Sequence, residues 1–246
     1  MNYRKLFDFL LDLIYPSLDK CFICGRAFHY FEVEKLCSSC LKRIIFVEEG
    51  CKVCGRSIEG GTEDFNNLCR FCNKTTPYFD QARSIGLYRG LLKELIHSFK
   101  YHKDKIAFIP AGAMLSIYYK HYFKNKKIDY LIPVPLHPTR EKDRGYNQAA
   151  LLAKEIAKDN QLEVREDLII RNKVTRPLYY LNRYERQAEL SGVFSFIKMP
   201  TPGLIYLLVD DIFTTGTTVN ELSQLLKSKG QAKKVYVLSF STGKVI

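Results

Sequence analysis

Two adjacent carboxylates running into a threonine-rich turn are the residues of this 246-residue chain best placed to do chemistry. The segment reads Leu207-Leu208-Val209-Asp210-Asp211-Ile212-Phe213-Thr214-Thr215-Gly216-Thr217-Thr218. Its apolar start predicts the end of a buried parallel strand, and Val219 to Lys229 predicts a helix. A turn at that junction presents free backbone N–H groups and the positive end of a helix dipole, which together hold a phosphate. Gly216 lets the backbone come close, and the hydroxyls of Thr214, Thr215, Thr217 and Thr218 add donors. Asp210 and Asp211 stand at the lip of the turn, placed to accept hydrogen bonds from sugar hydroxyls. One short loop therefore offers both halves of a site for a ribose 5-phosphate. A capped strand-to-helix turn with solvated aspartates is the plain alternative, but here acids and turn occur together in the required order. No Gly-Lys-Ser/Thr and no GxGxxG is present, which excludes a P-loop and a dinucleotide fingerprint.

The second chemistry belongs to the cysteines. All eight fall in four CxxC pairs: Cys21/Cys24, Cys37/Cys40, Cys51/Cys54 and Cys69/Cys72. Cys21-Phe22-Ile23-Cys24-Gly25-Arg26 returns as Cys51-Lys52-Val53-Cys54-Gly55-Arg56, and Leu36-Cys37-Ser38-Ser39-Cys40 returns as Leu68-Cys69-Arg70-Phe71-Cys72. In each pair two thiolates can take one face of a tetrahedral metal, with Gly25 and Gly55 permitting the tight turn that follows. Consecutive pairing predicts two structural zinc ribbons, Cys21, Cys24, Cys37, Cys40 and Cys51, Cys54, Cys69, Cys72. Spacing alone leaves an iron–sulfur cluster and crossed pairing open; the glycine knuckles and the duplication favour zinc. Disulfides are disfavoured without an export signal. About sixty residues with few large aliphatics need such a staple to fold.

These sites require two kinds of support. The chain divides into an N-terminal segment (1–19), a double zinc ribbon (20–75) and an α/β domain (76–246). In the first segment, apolar residues at 6, 7, 10, 11, 13 and 14, broken by Asp8 and Asp12, predict an amphipathic helix ended near Pro16. No run long enough to span a membrane and no cleavage site are seen, so a cytoplasmic location without membrane insertion is expected. In the α/β part, strands are expected near 83–88, 129–135, 168–170, 192–196, 204–209 and 235–240. Helices are expected near 91–100, 106–123, 147–158 and 219–229. Alternation of this kind predicts a parallel sheet with helices on both faces, whose ligands bind at the carboxyl ends of the strands. Net charge is +12, and the excess lies in the α/β part: residues 76–246 hold 27 Lys/Arg against 16 Asp/Glu, residues 1–75 hold 11 against 10. A basic domain of this size suits polyanions, whether a phosphorylated small molecule or nucleic acid.

Two further segments should reach the same edge. Pro133-Val134-Pro135-Leu136-His137-Pro138-Thr139-Arg140-Glu141-Lys142-Asp143-Arg144-Gly145-Tyr146-Asn147-Gln148 joins a strand to a helix and carries Arg140, Lys142 and Arg144. The stretch from Arg171 to Leu190 is arginine-rich and long enough to be a lid, although a surface excursion fits its composition as well.

The Asp210–Thr218 segment resembles the phosphoribosyl-pyrophosphate (PRPP) loop of type I phosphoribosyltransferases. Together, three segments in this order are similar to the ComF family of DNA-uptake competence proteins, which joins a zinc ribbon to a phosphoribosyltransferase domain. They are the knuckles opening with Cys21-Phe22-Ile23-Cys24-Gly25, the Pro133-Val134-Pro135-Leu136-His137…Arg144-Gly145-Tyr146-Asn147-Gln148 element, and the loop itself. Tyr88-Arg89-Gly90 and Ile96-His97-Ser98-Phe99-Lys100-Tyr101 resemble the segment that opens the transferase domain. The resemblance implies that Mg²⁺–PRPP binds with its ribose on Asp210 and Asp211 and its 5-phosphate on Thr214, Thr215, Gly216, Thr217 and Thr218. Its pyrophosphate would lie on Pro135, Leu136, His137, Arg140 and Arg144. It also implies single-stranded DNA and competence-machinery proteins as partners, or, alternatively, transfer of phosphoribosyl to a nitrogenous acceptor. In the lid-like stretch Leu178 and Glu189 stand where the family commonly has Gln and Asn, so acceptor recognition does not carry over.

Overall fold

The computed structural model describes residues 19–28, 33–47, 50–58, 67–99, 105–175 and 183–243. The expected N-terminal helix, Tyr101 and Leu178 lie outside these residues. The first ribbon opens with β1 (Asp19–Lys20) and β2 (Ala27–Phe28), an antiparallel pair, and closes with α1 (Ser38–Leu41). The second ends with α2 (Arg70–Lys74). The α/β part then runs β3 (Gln81–Leu87), α3 (Gly90–His97), α4 (Phe108–Tyr122), β4 (Tyr130–Pro133), α5 (Pro138–Arg144), α6 (Gln148–Asn160) and β5 (Glu163–Val164). It continues with β6 (Ile169–Arg171), α7 (Arg183–Leu190), β7 (Phe194–Phe196), β8 (Ile205–Phe213), α8 (Thr217–Ser228) and β9 (Lys234–Thr242).

Five strands form one sheet in the order β3-β9-β8-β4-β5, every neighbouring pair parallel. β6 and β7 make a separate antiparallel pair. The central strands β8 and β9 are apolar on both faces, as a strand covered on both sides must be. Leu207, Val209, Leu238 and Phe240 join the core built by α3, α4 and α6, together with the first ribbon's Cys21, Cys37 and Cys40. Tyr206, Leu208, Val235 and Val237 face the other core, which holds α8, Leu190, Val193 and the second ribbon's four cysteines. The expected fold class, a parallel α/β sheet preceded by a double zinc-ribbon module, is the one observed. Each ribbon contributes buried side chains to one of the two sheet-face cores.

Six elements differ from expectation: the short strand β5 is not among those expected, and β6 and β7, expected in the parallel sheet, pair antiparallel outside it. β8 continues through Asp210–Phe213, because those residues still pair with Ser239, Ser241 and Thr242 of β9. The basic turn after β4 is itself helical, as α5, and the arginine-rich stretch contains α7. Both helices are polar enough to show no apolar stripe in the sequence.

Asp80 pins the start of β3. Its carboxylate accepts from Lys234 Nζ at 2.8 Å, Lys227 Nζ at 2.7 Å and the Val235 N–H at 2.9 Å. Burial works to raise its pKa, and the two lysines and the backbone donor outweigh it, so the carboxyl titrates below its ordinary value. A depressed native pKa means the stabilisation is complete above the unfolded value of about 4 and is lost as pH falls through the native one. Asp80→Asn is therefore expected to lower stability at pH 7 by about 1–2 kcal/mol in denaturant unfolding. The difference from the native chain should shrink as pH falls below about 4.

Candidate functional site

The carboxyl ends of β4 and β8 open into a cleft of about 470 Å³. Asp210, Asp211, Thr214 and Thr218 line it from β8 and its turn; Leu136, Arg140 and Arg144 line it from the β4 exit and α5. The strand positions the acids: Asp210 pairs in register with Ser239, and the Asp211 N–H donates to Asp210 Oδ1 at 2.9 Å. Pro135 and His137 are half-buried and are not among the residues lining the cleft. The His137 ring instead caps α5, its Nδ1 accepting from the Thr139 N–H at 3.3 Å, with Pro138 at the helix start.

The motif around Gly145 has a local explanation. Gly145 takes φ +85° and ends α5 in the left-handed conformation. Asn147 then caps α6 by accepting from the Ala149 N–H at 3.0 Å, and its Nδ2 donates to Val134 O at 3.0 Å. That pair of bonds fixes the start of α6 against the end of β4. Gln148 is buried, accepts from Arg144 Nη1 at 3.1 Å, and leaves its Nε2 without a partner beside the cleft.

The turn itself divides. Thr214 and Thr218 face the cleft, whereas Thr215, Gly216 and Thr217 line a small cavity on the side of the second ribbon. Thr215 Oγ1 accepts from the Thr217 N–H at 3.4 Å, and the two hydroxyls lie 2.8 Å apart. Gly216 has φ +76°, and a Cβ there would come within 2.6 Å of the Phe213 ring. Gly216→Ala is expected to cost about 1–3 kcal/mol. It should lower the melting temperature by several degrees in thermal unfolding.

Arg171 is a cleft residue that sequence reasoning placed only among the arginines of a lid-like stretch. It is 4% exposed, donates from Nη2 to Thr175 Oγ1, and has an Nε with no partner. Burial pulls its pKa down to about 10; Arg140 adds to this and Asp210 opposes it. It thus joins Arg140, whose own Nη2 donates to Thr175 O, in a cationic wall opposite the acids. The one signal in the sequence is a charge closing the apolar run Leu168-Ile169-Ile170.

The eight cysteines form two quartets, Cys21, Cys24, Cys37, Cys40 and Cys51, Cys54, Cys69, Cys72, the sulfurs of each within 4.8 Å of one another. This is the consecutive pairing. Cys24 and Cys37 sulfurs are 3.8 Å apart and Cys54 and Cys69 sulfurs 3.6 Å, close to the edge of about 3.8 Å that tetrahedral Zn–S bonds of about 2.3 Å require. Both knuckles close alike, with Gly25 N donating to Cys21 O and Gly55 N to Cys51 O. The thiols of a quartet are driven apart in acidity. Hydrogen bonds from Cys54, Cys69 and Cys72 lower Cys51, while bonding to Cys51, Cys54 and Cys69 raises Cys72. Four sulfurs this close all ionise only around a cation, so the donor set fits zinc.

Residues 10–74 match the family model described as a double zinc ribbon domain. Competence protein F of Haemophilus influenzae is 30% identical over 216 residues, which cover 86% of this chain and 92% of that protein. The chain belongs to the ComF family. Competence protein ComFC of Bacillus subtilis is 26% identical over 82% of each chain. DNA utilization protein YhgH of Escherichia coli K12 is 26% identical over 67% of this chain and 73% of its own. Among solved structures, adenine phosphoribosyltransferase from Leishmania tarentolae aligns with a TM-score of 0.35 and 13% identity, over 57% of this chain and 73% of that one. No described helix of this ComF-family chain is long and apolar enough to cross a membrane.

Proposed function

We propose that the cleft binds Mg²⁺–PRPP and that the chain uses this site in handling single-stranded DNA during uptake. The supporting observation is that Asp210 and Asp211 open onto one cleft with Arg140, Arg144 and Arg171 at the carboxyl edge of a parallel sheet. Ribose hydroxyls would bond the two aspartates. The 5-phosphate would take backbone N–H groups and hydroxyls of the Thr214–Thr218 turn at the start of α8. The pyrophosphate would lie toward Arg140, Arg144 and Arg171, and the Mg²⁺ that accompanies it would neutralise part of its charge. The DNA role draws on the names of the relatives, two competence proteins and a DNA utilization protein, and on the positive charge of residues 76–246. Paired thiols that must stay reduced to hold zinc fit a cytoplasmic location.

Binding of a fluorescent single-stranded oligonucleotide across a salt series tests the DNA half. Affinity should fall linearly on logarithmic axes, and Arg140→Ala with Arg144→Ala should flatten that slope by up to about 0.7 for each phosphate no longer neutralised. PRPP should compete with the oligonucleotide if the two share the arginines. Affinity insensitive to salt would remove the DNA reading.

The retained acids favour a second reading, an active transferase. The C1–O bond to pyrophosphate would break with its electron pair leaving on the pyrophosphate, and an acceptor nitrogen would form the new C1–N bond and release its proton to water. Asp210 and Asp211 would stabilise the positive charge that develops at C1, and the arginines the charge that leaves.

A further inference from the structure

The knuckle repeat contains its own control. Arg26 and Arg56 hold equivalent positions, two residues after the second cysteine of their knuckles, and the backbone C=O of each accepts from the first cysteine's N–H. Arg26 is exposed, and nothing lies within 4 Å of a Cβ built on Gly25. Arg56 is 6% exposed, and a Cβ on Gly55 would meet Ala82 O at 2.5 Å. The second knuckle is thus pressed onto β3, where the Ala82 N–H also donates to Val53 O at 2.7 Å and Arg83 donates to Lys52 O at 3.1 Å. Closing a zinc knuckle does not require a buried arginine, since the first does without one.

That docking delivers Arg56 to the underside of the phosphate turn. Its guanidinium lies over the rings of Phe71 and Phe213, 5.8 and 5.6 Å from their centroids. It lines, with Thr215, Gly216 and Thr217, a cavity of about 20 Å³, room for one water. Its Nε and Nη2 are buried and have no hydrogen-bond partner. Glu221 lines the same cavity but gives neither atom a bond. The zinc-binding thiolates of the second quartet and Glu221 offset its charge, but two buried N–H groups that lack an acceptor remain costly. The N-terminus of α8 beside it carries positive partial charge, which makes the cost larger in the absence of an anion.

We infer that Arg56 is a positioning residue of the anion site: the second zinc ribbon holds a positive charge beneath the Thr215–Thr217 turn, and an anionic phosphate bound on that turn completes it. The inference rests on the reading of the cleft given above and adds the role of the second ribbon. The ribbon is then part of the binding apparatus, and zinc in the second quartet supports phosphate affinity through Arg56.

The test measures ribose 5-phosphate and pyrophosphate separately, by calorimetry on the full zinc-loaded chain. Arg56→Met keeps the packing on Phe71 and Phe213 and removes the charge. It should weaken ribose 5-phosphate about tenfold, the order expected for one charge at an effective dielectric near 20, and leave pyrophosphate unchanged. Arg56→Lys should restore most of the affinity, and Arg26→Met should change neither probe. Ribose 5-phosphate affinity within twofold of the native chain in Arg56→Met, or equal weakening of both probes, would overturn the inference. Should Arg56→Met lose its second zinc, Arg56→Gln repeats the comparison. Zinc loss in both neutral variants, with equal weakening of both probes by Arg56→Lys, would assign Arg56 to the metal site instead and also overturn it. A native chain that binds neither ribose 5-phosphate nor PRPP removes the underlying reading of the cleft, and the inference with it, a result distinct from either of these.

Discussion

Asp211→Asn is expected, on the transferase reading, to reduce PRPP-dependent pyrophosphate release by about 10²–10³-fold, the effect of removing one preorganised electrostatic interaction with the transition state. The substitution keeps shape and removes charge. The backbone at this point is held by the β8–β9 ladder and by the Asp211 N–H donated to Asp210 Oδ1, neither of which involves the Asp211 side chain. The fold should therefore persist. Removing a negative charge from a cleft walled by Arg140, Arg144 and Arg171 should leave polyanion binding intact or strengthen it. The measurement is pyrophosphate release from Mg²⁺–PRPP across nucleobases and single-stranded oligonucleotides, with oligonucleotide affinity measured alongside. Loss of turnover with retained polyanion binding is the expected pattern. A parallel fall in both would mean that Asp211 maintains the shape of the cleft rather than its charge.

The second large effect concerns the metal. Cys51→Ser is expected to lower stability by more than about 4 kcal/mol, a shift of about 8 °C or more in melting temperature, and to reduce bound zinc from two ions per chain to one. All four sulfurs of this quartet are buried and belong to the same core as Phe213, Val219 and Leu208. Without the metal, three thiols remain buried in that core with no cation to balance their ionisation. Cys24→Ser should cost less, because Cys24 is exposed at the rim of the first ribbon. Zinc content by atomic absorption and thermal unfolding of the two variants decide the matter. Equal losses would mean that the ribbons fold independently of the cores they enter.

The four CxxC pairs were legible from the repeat and from Gly25 and Gly55, which mark both knuckles, whereas consecutive and crossed pairing fitted the spacing alike and the fold decides between them. The order of strand, acids, turn and helix at Asp210–Thr218 was legible because an apolar run of buried strand ends abruptly in polar residues. The extent of β8 was not. Asp210–Phe213 break the apolar pattern, yet the strand continues because β9 still offers backbone partners there. The α5 helix was hidden for a related reason: Pro138-Thr139-Arg140-Glu141-Lys142-Asp143-Arg144 has no buried face, so no periodicity reveals it. Its start is written in His137 and Pro138 as a cap and a first-turn proline. The roles of Arg56 and Arg171 depend on docking between segments distant in sequence. Arg26 and Arg56 read alike in the chain, and the docking of the second knuckle on β3 sets them apart.

The most direct measurement is a calorimetric titration of Mg²⁺–PRPP into the native chain and into Arg140→Ala with Arg144→Ala. Saturable one-site binding to the native chain is expected, at least about tenfold weaker in the double variant, as removal of two charge-assisted hydrogen bonds implies. Absence of binding, or binding of equal strength in both, would contradict a PRPP site in this cleft.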